Sequence, residues 1–176
     1  MPFIIAALGA LAAFYFFVIR ARNAQHMASE VLDAANDVRL AARRFGFRRQ
    51  ANVHPVETIE EPGIAIAALG NAFVELDDLP SKDQRDALVI ALAKHGQMPS
   101  DEAQELTVLG RWLMNECGSP DQAVPRLARK LYKLQGADGF TPLLETVQAI
   151  VKAGSGTLSG KQKEALDDIR RIYRIK

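Results

Sequence analysis

Ala149–Leu166 reads AIVKAGSGTLSGKQKEAL, and Ala72–Leu88 reads AFVELDDLPSKDQRDAL. Each is an apolar helix end, a short turn, a Ser, a Gln three residues on, and then Ala-Leu. Ser81 matches Ser159, Gln84 matches Gln162 and Ala87-Leu88 matches Ala165-Leu166, with one extra residue in the second turn. Ser at an N-cap with Gln at the third helical position is a capping box, the local signature of a helix start. The two stretches therefore predict two related helix–turn–helix halves.

The second stretch also contains Gly160-Lys161, which raises the possibility of a phosphate-binding loop. Such a loop needs G-x-x-x-x-G-K-[ST] between a buried strand and a helix. The first glycine would fall at Ser155, and the residue after the lysine is Gln162, which has no hydroxyl for magnesium. The preceding LLETVQAIVKA has helical periodicity rather than strand alternation. The nucleotide reading fails on three counts.

Working outward, every segment after Ile64 has the helical period. Ile64, Ala65, Ala68, Leu69, Ala72, Phe73 and Leu76 predict one apolar face of a first helix. A second buries Ala87, Leu88, Ala91 and Leu92 and ends at Gly96, and a third runs from Ser100 through Leu113. Ser119-Pro120 starts a fourth, Thr141-Pro142 a fifth and Ser159 a last one. No segment alternates like a strand, so residues 63–176 read as an all-α bundle of about six helices.

The N-terminal third is different. FIIAALGALAAFYFFVI, Phe3 to Ile19, carries no charge and is just long enough for a bilayer. Arg20 and Arg22 follow it, which puts the N-terminus outside and the remainder in the cytosol. Ala6, Gly9, Ala10 and Ala13 make a small-residue face suited to close packing on another transmembrane helix. Residues 1–20 are thus expected to be a transmembrane anchor, 21–50 a basic amphipathic helix continuing from it, and 51–62 a linker punctuated by His54-Pro55 and Pro62. The basic helix carries an apolar stripe of Met27, Val31, Ala34, Val38, Ala41 and Phe45 and ends in RRFGFRR, Arg43 to Arg49. If it is straight, Arg43 stands about 36 Å beyond Ile19, so RRFGFRR is expected to dock on protein rather than membrane. Its Arg43, Arg44, Phe45, Phe47, Arg48 and Arg49 are the candidate docking residues, for a partner or for the domain's own acidic half.

The paired turns resemble those of the TerB-like family, found in tellurite-resistance TerB proteins and in the N-terminal region of membrane-anchored DnaJ-type co-chaperones (DjlA). In that family an Ala-Asp-Gly-x-aliphatic-Ser-x-x-Glu loop recurs in both halves. The first copy here is Leu76-Asp77-Asp78-Leu79-Pro80-Ser81-Lys82-Asp83-Gln84, the second Gly154-Ser155-Gly156-Thr157-Leu158-Ser159-Gly160-Lys161-Gln162. The resemblance covers roughly Glu57 to Lys176. It implies a TerB-like bundle used as an interaction module. Two departures matter: no His-Pro-Asp signature of a J domain is present, and Ser155 replaces the family's Asp.

Catalytic chemistry finds little support. The net charge of +1 gives no global case for nucleic acid. The single Cys117 excludes an internal disulfide, and His26, His54 and His95 lie far apart without ligand or triad spacing. Trp112 reads as a core residue. Glu75, Asp77 and Asp78 are the one tight acidic cluster at a turn and the only candidate metal ligands, for a hard cation such as Ca²⁺ or Mg²⁺. From Glu57 to Glu105 eleven acids face three basic residues, whereas from Leu106 onward twelve basic residues face seven acids. The expectation is a non-enzymatic protein of the bacterial inner membrane, with no small-molecule substrate and no cofactor beyond that possible cation. It would display a cytoplasmic interaction domain to a protein partner. The alternatives are an accessory subunit of a larger inner-membrane complex and a metal-binding, tellurite-resistance-like stress module.

Overall fold

In the computed structural model, residues 33–175 are described, and they contain helices and no strand. Helix α1 covers residues 33–44 of this range. After it come α2 (Pro62–Glu75), α3 (Lys82–Gly96), α4 (Ser100–Asn115), α5 (Pro120–Gln135), α6 (Phe140–Ala153) and α7 (Gly160–Tyr173), with short 3₁₀ turns at Pro55–Thr58 and Gly136–Gly139. The all-α class is observed. The anchor expected at residues 1–20, with its small-residue face Ala6, Gly9, Ala10 and Ala13, and the part of the expected basic helix up to residue 32 lie outside the described residues. Among the described residues no helix is long and apolar enough to cross a membrane.

The bundle is organised around α2, which packs against α3, α4, α5 and α6. Its sequence PGIAIAALGNAFVE buries every residue from Ile64 to Val74. The single apolar face expected from periodicity is thus a helix buried all round, which is what near-continuous apolarity specifies. The one polar residue in that run, Asn71, is satisfied: Nδ2 donates to Ala67 O at 2.9 Å and to Thr107 O at 3.1 Å. Gly110 of α4 lies against the α2 backbone, where a Cβ would come within 2.7 Å of Ala67 C. Glycine at this point sets how closely α4 crosses α2.

Both capping boxes form. Ser81 Oγ accepts from Gln84 N at 3.2 Å while Gln84 Oε1 accepts from Ser81 N at 2.9 Å, and Ser159 and Gln162 repeat this at 3.2 and 3.0 Å. Ser119 caps α5 through Gln122 N at 3.4 Å. The fifth start differs from expectation: the 3₁₀ turn Gly136–Gly139 feeds α6 directly at Phe140, so the backbone is already helical before Thr141-Pro142.

Residues 51–62, expected as a linker, are packed. Pro55, Val56, Thr58 and Ile59 are buried, and His54 ties the turn to the end of α4, its Nε2 lying 3.1 Å from Glu116 O. Val56 N donates to His54 Nδ1 at 3.3 Å, so Nε2 carries the proton donated to Glu116. Lys130 Nζ donates to Glu57 O at 2.7 Å from the other side. Proline and polar residues marked a non-helical segment, and core contacts made it an integral one. Val38–Lys176 accordingly forms one compact unit. Of the other unit, Met1–Asp37, only residues 33–37 are described, all helical and exposed.

Candidate functional site

The two matched turns meet. Gln162 Nε2 donates to Phe73 O at 2.7 Å and lies 3.4 Å from Asp77 Oδ2, while Gln84 Nε2 donates to the same Oδ2 at 2.6 Å. Ser159 Oγ donates to Leu76 O at 2.9 Å. A standard capping box needs only an acceptor at the third position, which Glu supplies. Gln adds an amide donor, and in both copies that donor is turned onto the end of α2. Gln84 and Gln162 are completely buried, and their bonds join the α2–α3 turn to the α6–α7 turn. Gly154 allows this approach, since a Cβ there would fall 2.4 Å from Gln84 Nε2.

The turns are also alike internally. Asp77 Oδ1 accepts from Leu79 N at 3.1 Å, and Ser155 Oγ accepts from Thr157 N at 3.3 Å. Aspartate in one copy and serine in the other thus make the same local turn. Between the turns lies a cleft of about 670 Å³. Asp77, Asp78, Leu79 and Asp83 form one lip and Gly154, Ser155, Thr157 and Gly160 the other.

The proposed metal ligands Glu75, Asp77 and Asp78 are not brought together. Glu75 Oε1 faces Arg85 Nη2 at 3.3 Å, Asp77 is engaged by two glutamine amides and a backbone N–H, and Asp78 is exposed. Among the described residues no group of three or more His, Cys, Asp or Glu side chains is placed to hold a metal ion. A helix carries neighbouring carboxylates to different faces as it ends, so adjacency in sequence did not become convergence in space. At the other half of the cleft, Gly160-Lys161 opens α7 after a helix rather than a strand, and the Ser159 hydroxyl is engaged by Leu76 and Gln162.

RRFGFRR is a helix terminus folded back on its own domain. Gly46 is left-handed at φ 65°, with Phe47 N donating to Ala42 O at 2.8 Å and Gly46 N to Arg43 O at 3.3 Å. These are the two bonds of a Schellman motif. The reversal sets Phe45 and Phe47 against the core, Phe47 edge-on to Trp112 at 5.8 Å between ring centroids. Trp112 is thus half-buried on the α4 surface rather than in the interior. Arg49 lies over the same ring at 5.9 Å and pairs with Glu116 at 3.7 Å, and Arg44 pairs with Glu105 at 3.3 Å. Arg43 and Arg48 are exposed and form no ion pair among the described residues.

The remaining reactive side chains are separate. Cys117 is half-buried near the end of α4 with Sγ 3.5 Å from Leu113 O, and burial pushes its thiol up, away from the reactive thiolate. His95 Nε2 lies 3.4 Å from Glu145 Oε2, linking α3 to α6, and His26 is outside the described residues. Comparison with protein-family models, curated proteins and solved structures returned no match.

Proposed function

We propose that this chain is a membrane-anchored, non-catalytic interaction module of the TerB/DjlA-like kind, held at the bacterial inner membrane with its helical domain in the cytosol. The observation that carries the reading is the junction at Asp77. Two turns of matching sequence, each closed by a Ser–Gln capping box, are bonded through their glutamines around one open cleft. A duplicated helix–turn–helix would produce this pairing, and it is the part of the chain that resembles TerB-like proteins. The apolar run Phe3–Ile19 followed by Arg20 and Arg22 supports the anchor and its orientation.

The partner is read as a protein. The cleft presents exposed Leu79 and Asp78 beside backbone-rich Gly and Ser residues, a surface suited to a peptide or loop. RRFGFRR contributes indirectly, since its contacts with α4 fold it onto its own domain.

Purification of the full chain in mild detergent followed by mass spectrometry tests this. A cytosolic protein captured by the native chain and lost on Leu79→Glu/Asp78→Lys is the expected result. Stoichiometric co-purification of membrane subunits that persists in that variant would instead favour the accessory-subunit reading. A reporter fused after Lys176 should be active only in the cytoplasm, and periplasmic activity would overturn the topology.

A further inference from the structure

Some cations of the described domain are neutralised nearby. Arg44, Arg49, Arg85, Lys82, Arg170 and Arg171 each lie within ion-pair distance of a carboxylate. One face of α5 gathers four more around a single concavity. Arg126, Arg129, Lys130 and Lys133 recur at the spacing that places them on one stripe of a helix. With Gln122 and Glu57 they line a concavity of about 400 Å³. Glu57 is the only carboxylate of that lining, its Oε1 3.3 Å from Arg126 Nε, so four cations face one acid for a net charge of +3. Arg129 and Lys133 are exposed and make no ion pair among the described residues.

Lys130 is the informative member. It is only 8% exposed, and its Nζ makes one hydrogen bond, to Glu57 O at 2.7 Å. An ammonium has three donors, so two are left to face the concavity. Like charges three and four residues apart on a helix also repel one another. The free domain thus holds an arrangement that a bound anion would stabilise. The donors are two guanidinium forks, a fixed ammonium and the Gln122 amide. Forks that bind oxygens in pairs, beside a point charge, suit a multiply charged tetrahedral oxyanion better than a single carboxylate.

We propose that the α5 concavity is a phosphate-binding site, taking the phosphate of a phospholipid headgroup or of a small phosphorylated metabolite. The site itself is independent of the interaction-module reading, and only the lipid source rests on the membrane anchor.

The test uses the full chain purified in neutral detergent without phosphate. In one arm inorganic phosphate and glycerol 3-phosphate are titrated by calorimetry, with amide hydrogen exchange followed over α5. In the other the chain is placed in nanodiscs of phosphatidylcholine, with and without an equal part of phosphatidylglycerol, and the same exchange is read. Protection of α5 in either arm is expected, and the arm in which it appears identifies the source. Arg129→Glu/Lys133→Glu should weaken binding by about tenfold or more. Lys161→Glu/Lys163→Glu, the same charge change on exposed positions of α7, should leave it intact. No protection in either arm, equal protection in the α5 variant, or protection by oligoglutamate alone would overturn the site. If the anchor reading fails, the solution arm still decides.

Discussion

Asp77 accepts hydrogen bonds from a backbone N–H and from two glutamine amides, and those amides are neutral donors in a setting without solvent. The half-buried Asp77 carboxylate is well served by such neighbours, whereas a second carboxylate in place of the buried Gln162 amide would be repelled by it and poorly hydrated. Gln162→Glu keeps an acceptor for Ser159 N, removes the donor to Phe73 O and sets a charge against Asp77. Unfolding free energy should fall by about 2–4 kcal/mol in urea titrations followed by circular dichroism, whereas exposed Lys161→Glu should change it by less than about 0.5 kcal/mol. Tyr173 supplies a second prediction. Its ring packs on Tyr132 and Phe140, its hydroxyl has no hydrogen-bond partner among the described residues, and burial, then Tyr132, pushes the phenol up to about 12. In the unfolded chain a tyrosine ionises near 10. The unfolded state therefore loses its proton first as pH rises, and stability drains away between pH 10 and 12, by about 1–3 kcal/mol. Tyr173→Phe should lack this loss while keeping its stability near neutrality, which parallel urea titrations from pH 9 to 11.5 would show.

The crossing of α2 and α4 shows what elements add to residues. A Cβ at Gly110 would lie 2.7 Å from Ala67 C and 2.8 Å from Ala68 N, both backbone atoms that cannot rotate aside. Gly110→Ala gains about 1 kcal/mol of helix propensity, yet the forced separation of two packed helices outweighs it. The net outcome should be a loss of about 2–4 kcal/mol, read from the urea midpoint. Gly70→Ala meets the Leu88 side chain at 2.4 Å instead, and because that side chain can shift, its loss should be smaller. This contrast also marks where sequence reading stops. The capping boxes at Ser81 and Ser159 were legible because a cap is satisfied within four residues. That Gln84 and Gln162 would turn their amides onto Asp77 was not, although Gln in place of the usual Glu in both copies was the available signal. The all-round burial of α2 is hinted at by its composition, but the glycine that sets the α2–α4 crossing is invisible until the partner helix is placed. The α5 stripe was readable from its spacing, yet only the carbonyl of Glu57 against Lys130 makes it a concavity rather than a solvated face.

At the scale of the whole molecule, the boundaries drawn from punctuation and those drawn by contacts disagree, and the disagreement can be measured. Gly46, Pro55 and Pro62 suggest a helical arm joined to a domain by a linker. The contacts place Ala41, Val56 and Ile59 in the core and Phe45 and Phe47 against it. The arm's end is therefore part of the domain, clasped by Arg44 to Glu105, Arg49 to Glu116 and His54 to Glu116 O. Each fully buried large apolar side chain contributes about 1.5–3 kcal/mol, and half-buried aromatic residues proportionately less. A chain beginning at Asp33 should therefore unfold cooperatively, while one beginning at Val53, which retains every helix from α2 onward, should be less stable by about 2–5 kcal/mol. Lost cover over Trp112 gives an independent readout, since its fluorescence should shift to the red in the shorter chain before any denaturant is added. Equal stability and identical emission in the two chains would mean that the arm merely tethers the domain, and that RRFGFRR is free to be presented to a partner.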